Sequence, residues 1–158
     1  MTIADRILGT GYEAIIAMLL ANFLAQFIKF IRDWPRRGHA HIPMLFSTGG
    51  MPSSHSSTVT GLSTSIGMIA GWDSPTFAVA VCFAFITMFD AAGLRQSASL
   101  QAQALNQIVR ELLAPDHNLN HRKLKEFLGH TPREVLAGGL LGIVVSLCVR
   151  GGLVLMSR

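Results

Sequence analysis

The sequence predicts an all-α fold, an integral membrane bundle of about four transmembrane helices with short amphipathic or surface helices beside it. Half of the 158 residues are hydrophobic, only 14% are charged, and the mean hydropathy is +0.43. Such values are too apolar for an ordinary soluble domain. Several apolar runs are also long enough to cross a bilayer. The length suits one domain over residues 1–158.

The first membrane helix is predicted from Tyr12 to Ile31, after a short polar lead. At about 1.5 Å per residue this run rises about 30 Å, the thickness of one bilayer core. Lys29 lies in its last turn, and a basic segment with Trp34 and Arg36 follows. A snorkelling anchor at the interface is the simpler interpretation, but the segment holds more cations than an anchor needs.

A second helix is predicted from Pro52 to Trp72, after a loop over residues 38–50. Its Ser, Thr and Gly residues allow close packing between membrane helices. A tight turn at residues 71–75 leads into the most apolar run, which begins at Pro75. Beyond Phe89 the apolar residues recur every three or four positions as far as Leu112, which predicts an amphipathic helix that leaves the membrane or lies on its surface.

The last helix is predicted to begin at Thr131, which suits an N-cap with Glu134 at the capping-box position. A turn over residues 114–120 and a short basic helix over residues 121–128 precede it. Gly138 and Gly142 give the last helix a small-residue face, on which two chains would pair as a homodimer. Arg150 is interpreted as a snorkelling side chain near the end of this span.

The stretch Gly49–Ser57 carries the strongest chemical signal. Pro52 suits the first position of a helix, and Ser53 and Ser54 add hydroxyl and N–H groups at its start. The N-terminus of a helix attracts anions, phosphate above all. His55 lies just inside and can gain or lose a proton near neutral pH. The simpler alternative is a serine-rich cap with an incidental histidine.

The predicted crossings bring the ionisable residues to one membrane face. The first helix ends near Lys29, and the second begins beside His55. The third leaves the membrane near Asp90 and Arg95, and the last begins after His130. Ionisable groups at membrane depth indicate function by default.

Two histidines, several cations and two carboxylates form a set that phosphoryl transfer can use. Cations and N–H groups neutralise the phosphate oxygens, one histidine attacks phosphorus, and the other protonates the leaving alcohol. Glu134 lies one turn after His130, from where its carboxylate can orient the imidazole. The alternative for Glu134 is the capping role alone.

These residues resemble the type 2 phosphatidic acid phosphatase superfamily, which is related to vanadium-dependent haloperoxidases, and most closely its small divergent branch. Lys29 and Arg36 keep the spacing of a Lys-x6-Arg-Pro motif, although Arg37 replaces the proline. The stretch 52–55 keeps a Pro-Ser-Gly-His motif with serine in place of glycine, and His130 with Glu134 keeps a His-x3-acid motif. The arginine expected six positions before that histidine is Leu124.

The resemblance implies a role for each residue. His130 would be the nucleophile that forms a phosphohistidine, Glu134 would orient it, and His55 would protonate the leaving group. The phosphate would be bound by Lys29, Arg36, Ser53, Ser54 and Arg95. Asp90 would support Arg95, which is expected to replace the missing arginine. No metal or other cofactor would be required.

Ten of the thirteen Lys and Arg residues lie at or beyond the predicted site end of the helices, all except Arg6, Arg150 and Arg158. The positive-inside rule therefore predicts a site that faces the cytoplasm from a bacterial inner membrane. Within the bilayer, a membrane lipid is the expected substrate, and phosphatidylglycerophosphate is the first candidate. Polyprenyl pyrophosphate is the second, a non-catalytic lipid-binding protein is the third, and halide oxidation ranks last. No basic stripe with interleaved aromatic residues indicates nucleic acid.

Overall fold

The computed structural model describes residues 2–37, 50–112 and 130–158. The described ranges contain helices and no strand, which confirms the predicted all-α class. The helices are α1 (Ile3–Ile7), α2 (Gly11–Arg37), α3 (Ser54–Ala70), α4 (Pro75–Ala92), α5 (Leu94–Leu112) and α6 (Pro132–Met156). Most of the predicted loop at 38–50, the turn at 114–120 and the basic helix at 121–128 lie outside the described residues.

The N-terminal lead contains a helix that its composition did not predict. Thr2 caps α1 by accepting the backbone N–H of Asp5, and the Asp5 carboxylate accepts the backbone N–H of Thr2 in return. This capping box satisfies two donors that a short helix would otherwise leave open. This short helix packs against the bundle, where it contacts α2 and α6.

Three helices are long and apolar enough to cross a membrane: Gly11–Arg32 within α2, Pro75–Ala92 and Pro132–Met156. The shorter α3 runs antiparallel to α2 at the same depth. The Ser57 hydroxyl donates to the carbonyl oxygen of Ala21 at 3.2 Å, and the Asn22 amide donates to the Thr58 hydroxyl at 2.9 Å. Within the described ranges three helices thus have the length and composition of a span, against the about four predicted, and α3 packs against the first of them.

The central helix of the bundle is α3, which contacts α2, α4 and α6. Its contact with α6 depends on glycine. A Cβ atom at Gly138 would overlap the backbone of Ser53, and one at Gly142 would overlap the Ser57 carbonyl and the Thr60 hydroxyl. The Thr60 hydroxyl also donates to the Gly139 carbonyl at 2.9 Å. The small-residue face expected to pair two chains is therefore covered by α3 of the same chain.

The turn predicted between the second and third helices is present. Gly71 adopts a φ of 97°, which favours glycine, and Ser74 caps α4 with Pro75 in its first turn. At the other end of α4, Gly93 separates it from α5. Within the described ranges α5 contacts α4 alone among the helices.

Arg150 is part of an ion pair and is not simply a snorkelling side chain. Its guanidinium lies 3.0 Å from the carboxylate of the fully buried Glu13, which also accepts the backbone N–H of Gly9 at 2.7 Å. A buried carboxylate requires such partners. The pair joins the start of α2 to the last third of α6, at the end of the bundle opposite Lys29.

Replacing Gly142 by alanine should destabilise the bundle by about 1–3 kcal/mol, because the added Cβ meets the backbone of α3 and cannot be relieved by a side-chain rotation. The measurement is thermal unfolding of the purified protein in detergent, followed by circular dichroism. Gly151→Ala is the matched control, since nothing lies within 4 Å of a Cβ there and alanine favours a helix. Equal stability of the two variants would contradict the close α3–α6 contact.

Candidate functional site

Four helix termini meet at one end of the bundle. The last turns of α2 and α4 arrive there, and α3 and α6 start there. The Lys29 ammonium on α2 lies 3.4 Å from the Ser54 hydroxyl at the start of α3. The backbone N–H of His130, just before α6, donates to the carbonyl oxygen of Ala91 in the last turn of α4 at 3.2 Å. These contacts assemble residues that are up to about 100 positions apart in the sequence.

The imidazoles of His55 and His130 face each other in this cluster. Their ring centroids are 6.1 Å apart and their planes are inclined by 66°. His130 is almost fully enclosed, with 2% of its surface exposed, whereas His55 is half-buried. Among the described residues, a ligand would therefore approach the pair from the side of His55.

Glu134 holds His130 and caps α6 with the same oxygen. Oε2 lies 3.3 Å from Nδ1 of His130 and accepts the backbone N–H of Thr131 at 3.0 Å. The Thr131 hydroxyl accepts the Glu134 N–H at 3.4 Å, which completes the capping box. The two interpretations weighed for Glu134 are thus compatible, because the cap fixes the carboxylate where it reaches the imidazole.

The start of α3 differs from the prediction by two residues. Pro52 precedes the helix, in a cis peptide bond with Met51, and is not its first residue. Ser53 is the N-cap, and its hydroxyl accepts the N–H of Ser56 at 3.3 Å. A capping side chain reaches that N–H only from a non-helical residue, so the helix begins at Ser54.

The backbone of Ser53 is used for packing. Its N–H donates to the carbonyl oxygen of Glu134 at 3.0 Å, which ties the start of α3 to the first turn of α6. The N–H of Ser54 lies in the first turn of α3, where the helix itself provides no acceptor. Of the two serines proposed to bind phosphate, Ser54 is the better placed to offer its backbone.

Lys29 does not snorkel away from the bundle. Only 3% of its surface is exposed, its ammonium is next to the Ser54 hydroxyl, and the carboxylate of Glu134 attracts it through space. A buried ammonium is costly unless it has polar neighbours. Its placement between the starts of α3 and α6 is one from which it could neutralise a bound anion.

Two polar residues of α2 were missed by the sequence reasoning. The Gln26 amide donates to the Ser54 hydroxyl at 3.4 Å, and the Arg32 guanidinium donates to the Met51 carbonyl at 3.2 Å. The signal was available, since Gln26 and Lys29 lie three positions apart on one helix face. Polar residues at that spacing in an apolar run indicate a face turned toward other polar groups.

Three predicted site residues remain, of which two are placed by their backbones and one is described with its side chain. Arg36 lies in the last turn of α2 and Arg95 in the first turn of α5, and the side chains of both lie outside the described part of the structure. Position 36 follows position 29 by two helical turns, which places both on one face of α2. Asp90 is half-buried in the last turn of α4, next to the residue that binds His130.

The arrangement is suited to an anion. The starts of α3 and α6 direct the positive ends of two helix dipoles to the same place, and Lys29 adds a full charge. One imidazole, that of His130, has a carboxylate beside its Nδ1. The other imidazole stands across from it. Side chains of the types that serve as nucleophile and as acid or base therefore lie together beside two helix starts that attract anions.

Comparison with known proteins agrees with this description. Residues 11–145 match the Divergent PAP2 family, and the chain belongs to that family. It is also 41% identical to the "Uncharacterized membrane protein YuiD" of Bacillus subtilis (strain 168), over 85% of this chain and 89% of that protein. No solved structure matches the chain. The resemblance expected from the motifs is thereby confirmed, and the protein is an integral membrane protein related to the phosphatidic acid phosphatases.

Replacing Glu134 should separate its two roles. Glu134→Ala removes one of the two bonds of the capping box of α6 and should lower the free energy of unfolding by about 1 kcal/mol. Glu134→Gln keeps an oxygen that accepts the Thr131 N–H, so its stability should stay close to that of the unmodified protein. Thermal unfolding in detergent measures both. A loss for Glu134→Gln as large as that for Glu134→Ala would show that the charge, rather than the cap, stabilises this helix start.

Proposed function

We propose that this protein is a metal-independent membrane lipid phosphate phosphatase that works through a phosphohistidine on His130. The observation that carries the proposal is the facing pair of His55 and His130, 6.1 Å apart between ring centroids at the end where α3 and α6 begin. Two imidazoles at this separation can flank one phosphoryl group. Family membership supports the class of reaction, and the membrane-spanning helices support a lipid substrate.

In the first step, Nε2 of His130 attacks phosphorus and forms a P–N bond while the bond from phosphorus to the lipid oxygen breaks. His55 donates a proton to the departing oxygen, which leaves as an alcohol. Glu134 stabilises the positive charge that develops on the His130 ring, as the third member of such triads does.

In the second step, His55 takes a proton from water, the water oxygen attacks phosphorus, and the P–N bond breaks. Inorganic phosphate then leaves, and both histidines return to their starting states.

Positive charge around the phosphoryl oxygens is supplied by Lys29, Arg36 and Arg95, with the starts of two helices. In both steps negative charge is concentrated on the oxygens that do not react. Fixed charges and N–H groups that surround those oxygens lower the barrier most when they are oriented before the substrate binds. The burial of Lys29 between α3 and α6 supports such an arrangement. Asp90 is proposed to hold Arg95.

The site is proposed to face the cytoplasm from the bacterial inner membrane, because the sequence predicts ten of the thirteen Lys and Arg residues at or beyond that end. A site in this position would meet lipid phosphates of the inner leaflet. Phosphatidylglycerophosphate is the proposed substrate: its terminal phosphate is a monoester, whose alcohol would leave in the first step, and its acyl chains match a protein embedded in the bilayer.

The test is phosphate release from phosphatidylglycerophosphate by the purified protein in detergent. His130→Ala should abolish both phosphate release and the trapped phosphoenzyme. His55→Ala should slow release by about 10²–10⁴, the range of general acid–base catalysis. With p-nitrophenyl phosphate the first release of p-nitrophenol should be slowed much less by His55→Ala, since that leaving group departs without a proton, whereas the second step still needs His55 as a base. Glu134→Gln should lose activity while it stays folded.

Ser74→Ala is the control for these variants. It removes the N-cap of α4 at the opposite end of the bundle and should leave activity unchanged. Cleavage of a polyprenyl diphosphate but not of phosphatidylglycerophosphate would overturn the proposed substrate. Absence of phosphate release from every lipid phosphate, in a folded protein, would favour a lipid-binding protein without catalysis.

A further inference from the structure

One face of α3 is not covered by another helix of the described structure. Contacts with α2, α6 and α4 occupy three sides of α3. Within the described ranges α2 and α4 do not contact each other, so a strip of α3 lies open between them. This strip runs along the bundle from the candidate site toward the opposite end.

The residues of this strip are recessed. Positions 55, 58, 62, 66 and 69 recur every three or four residues and share one face of α3. Each is half-buried. By contrast, apolar side chains on the outer faces of the flanking helices are open, with 63% of the surface exposed at Phe23 on α2 and 60% at Ile86 on α4. The strip is thus the floor of a groove, which we call the α3 groove, whose walls are α2 and α4.

The chemistry of the α3 groove changes along its length. At the site end lie His55 and Thr58, where Asn22 of the α2 wall donates to the Thr58 hydroxyl at 2.9 Å. Farther from the site, the floor of the groove consists of the aliphatic side chains of Leu62, Ile66 and Ile69. A groove that is polar beside a phosphate site and apolar at bilayer depth is complementary to an amphiphile with a polar linkage and a hydrocarbon chain.

We propose that the α3 groove binds one hydrocarbon chain of the lipid phosphate, and that Leu62 and Ile69 set which chain lengths are used. This inference rests on the proposed function and adds a specificity element to it. At about 1.5 Å per residue, Leu62 lies about 10 Å beyond His55 and Ile69 about 21 Å beyond it. A chain seated with its phosphate at the histidine pair therefore passes Leu62 early and reaches Ile69 only when it is long.

The experiment blocks the groove at two depths with tryptophan. Substrates are phosphatidic acids with hexanoyl, decanoyl or palmitoyl chains, in which the phosphate lies on the same glycerol as the chains, and kcat/KM is measured in detergent. Leu62→Trp should lower kcat/KM at least about tenfold for decanoyl and palmitoyl substrates, because several methylenes lose their burial. The hexanoyl substrate should change less than about twofold. Ile69→Trp should impair only the palmitoyl substrate.

The controls place the same substitutions on open faces. Leu140→Trp on α6 and Ile86→Trp on α4 occur where 66% and 60% of the side chain is exposed, and both should leave chain-length preference unchanged. Equal losses in groove and control variants, or equal losses for all chain lengths, would overturn the proposal. If Leu62→Trp does not fold, Ile69→Trp carries the test alone.

A binding measurement distinguishes failure of the groove from failure of the proposed function. The probe is palmitoyl phosphatidic acid, added at low mole fraction to phosphatidylcholine vesicles that contain each variant, and the amount that stays bound to the purified protein is measured by mass spectrometry. Weaker retention by Leu62→Trp than by Leu140→Trp would support the groove even if no phosphate is released. Equal retention by the two variants would overturn it, whatever the catalytic result.

Discussion

The close contact between α3 and α6 is the constraint on which the rest of the structure depends. Gly138 and Gly142 leave room for the backbone of α3, and the Ser53 N–H donates to the Glu134 carbonyl across the contact. Since both helices start at the same end, this contact fixes their first turns side by side. His55 is one residue inside α3 and His130 lies two residues before α6, so the distance between the imidazoles follows from the helix packing.

Burial around the histidine pair explains why the side chain that completes the cap of α6 also contacts the candidate nucleophile. The Glu134 carboxylate completes the cap of α6, lies beside the His130 imidazole and attracts Lys29. In an apolar bundle every polar group needs a partner, which favours side chains that satisfy several groups at once. A small protein gains precision this way, because the groups that orient the candidate nucleophile are held by the same bonds that begin the helix.

Local sequence signals predicted much of this fold. Thr131 and Glu134 predicted the start of α6, and the small residues of α3 predicted a tightly packed helix. The gathering of Lys29, His55 and His130 at one end could be expected from the number of crossings.

Details that depend on long-range contacts could not be predicted. The partner of Arg150 is Glu13, 137 positions away. Residue spacing within one helix does not predict a contact between the two ends of the chain. The start of α3 at Ser54 could not be predicted, because several polar residues there can act as the N-cap. Pro52 also suits the first position of a helix, although here it precedes the cap. The glycine face of α6 was expected to pair two chains because sequence alone does not distinguish a contact within a chain from one between chains.

The most direct test of the account is a structure of the protein with bound vanadate, which mimics the transferring phosphoryl group. The account predicts vanadium bonded to Nε2 of His130, with His55 on the opposite side of the anion and Lys29 near its oxygens. Vanadate bound elsewhere in the protein, or bound here without contact to either imidazole, would contradict it.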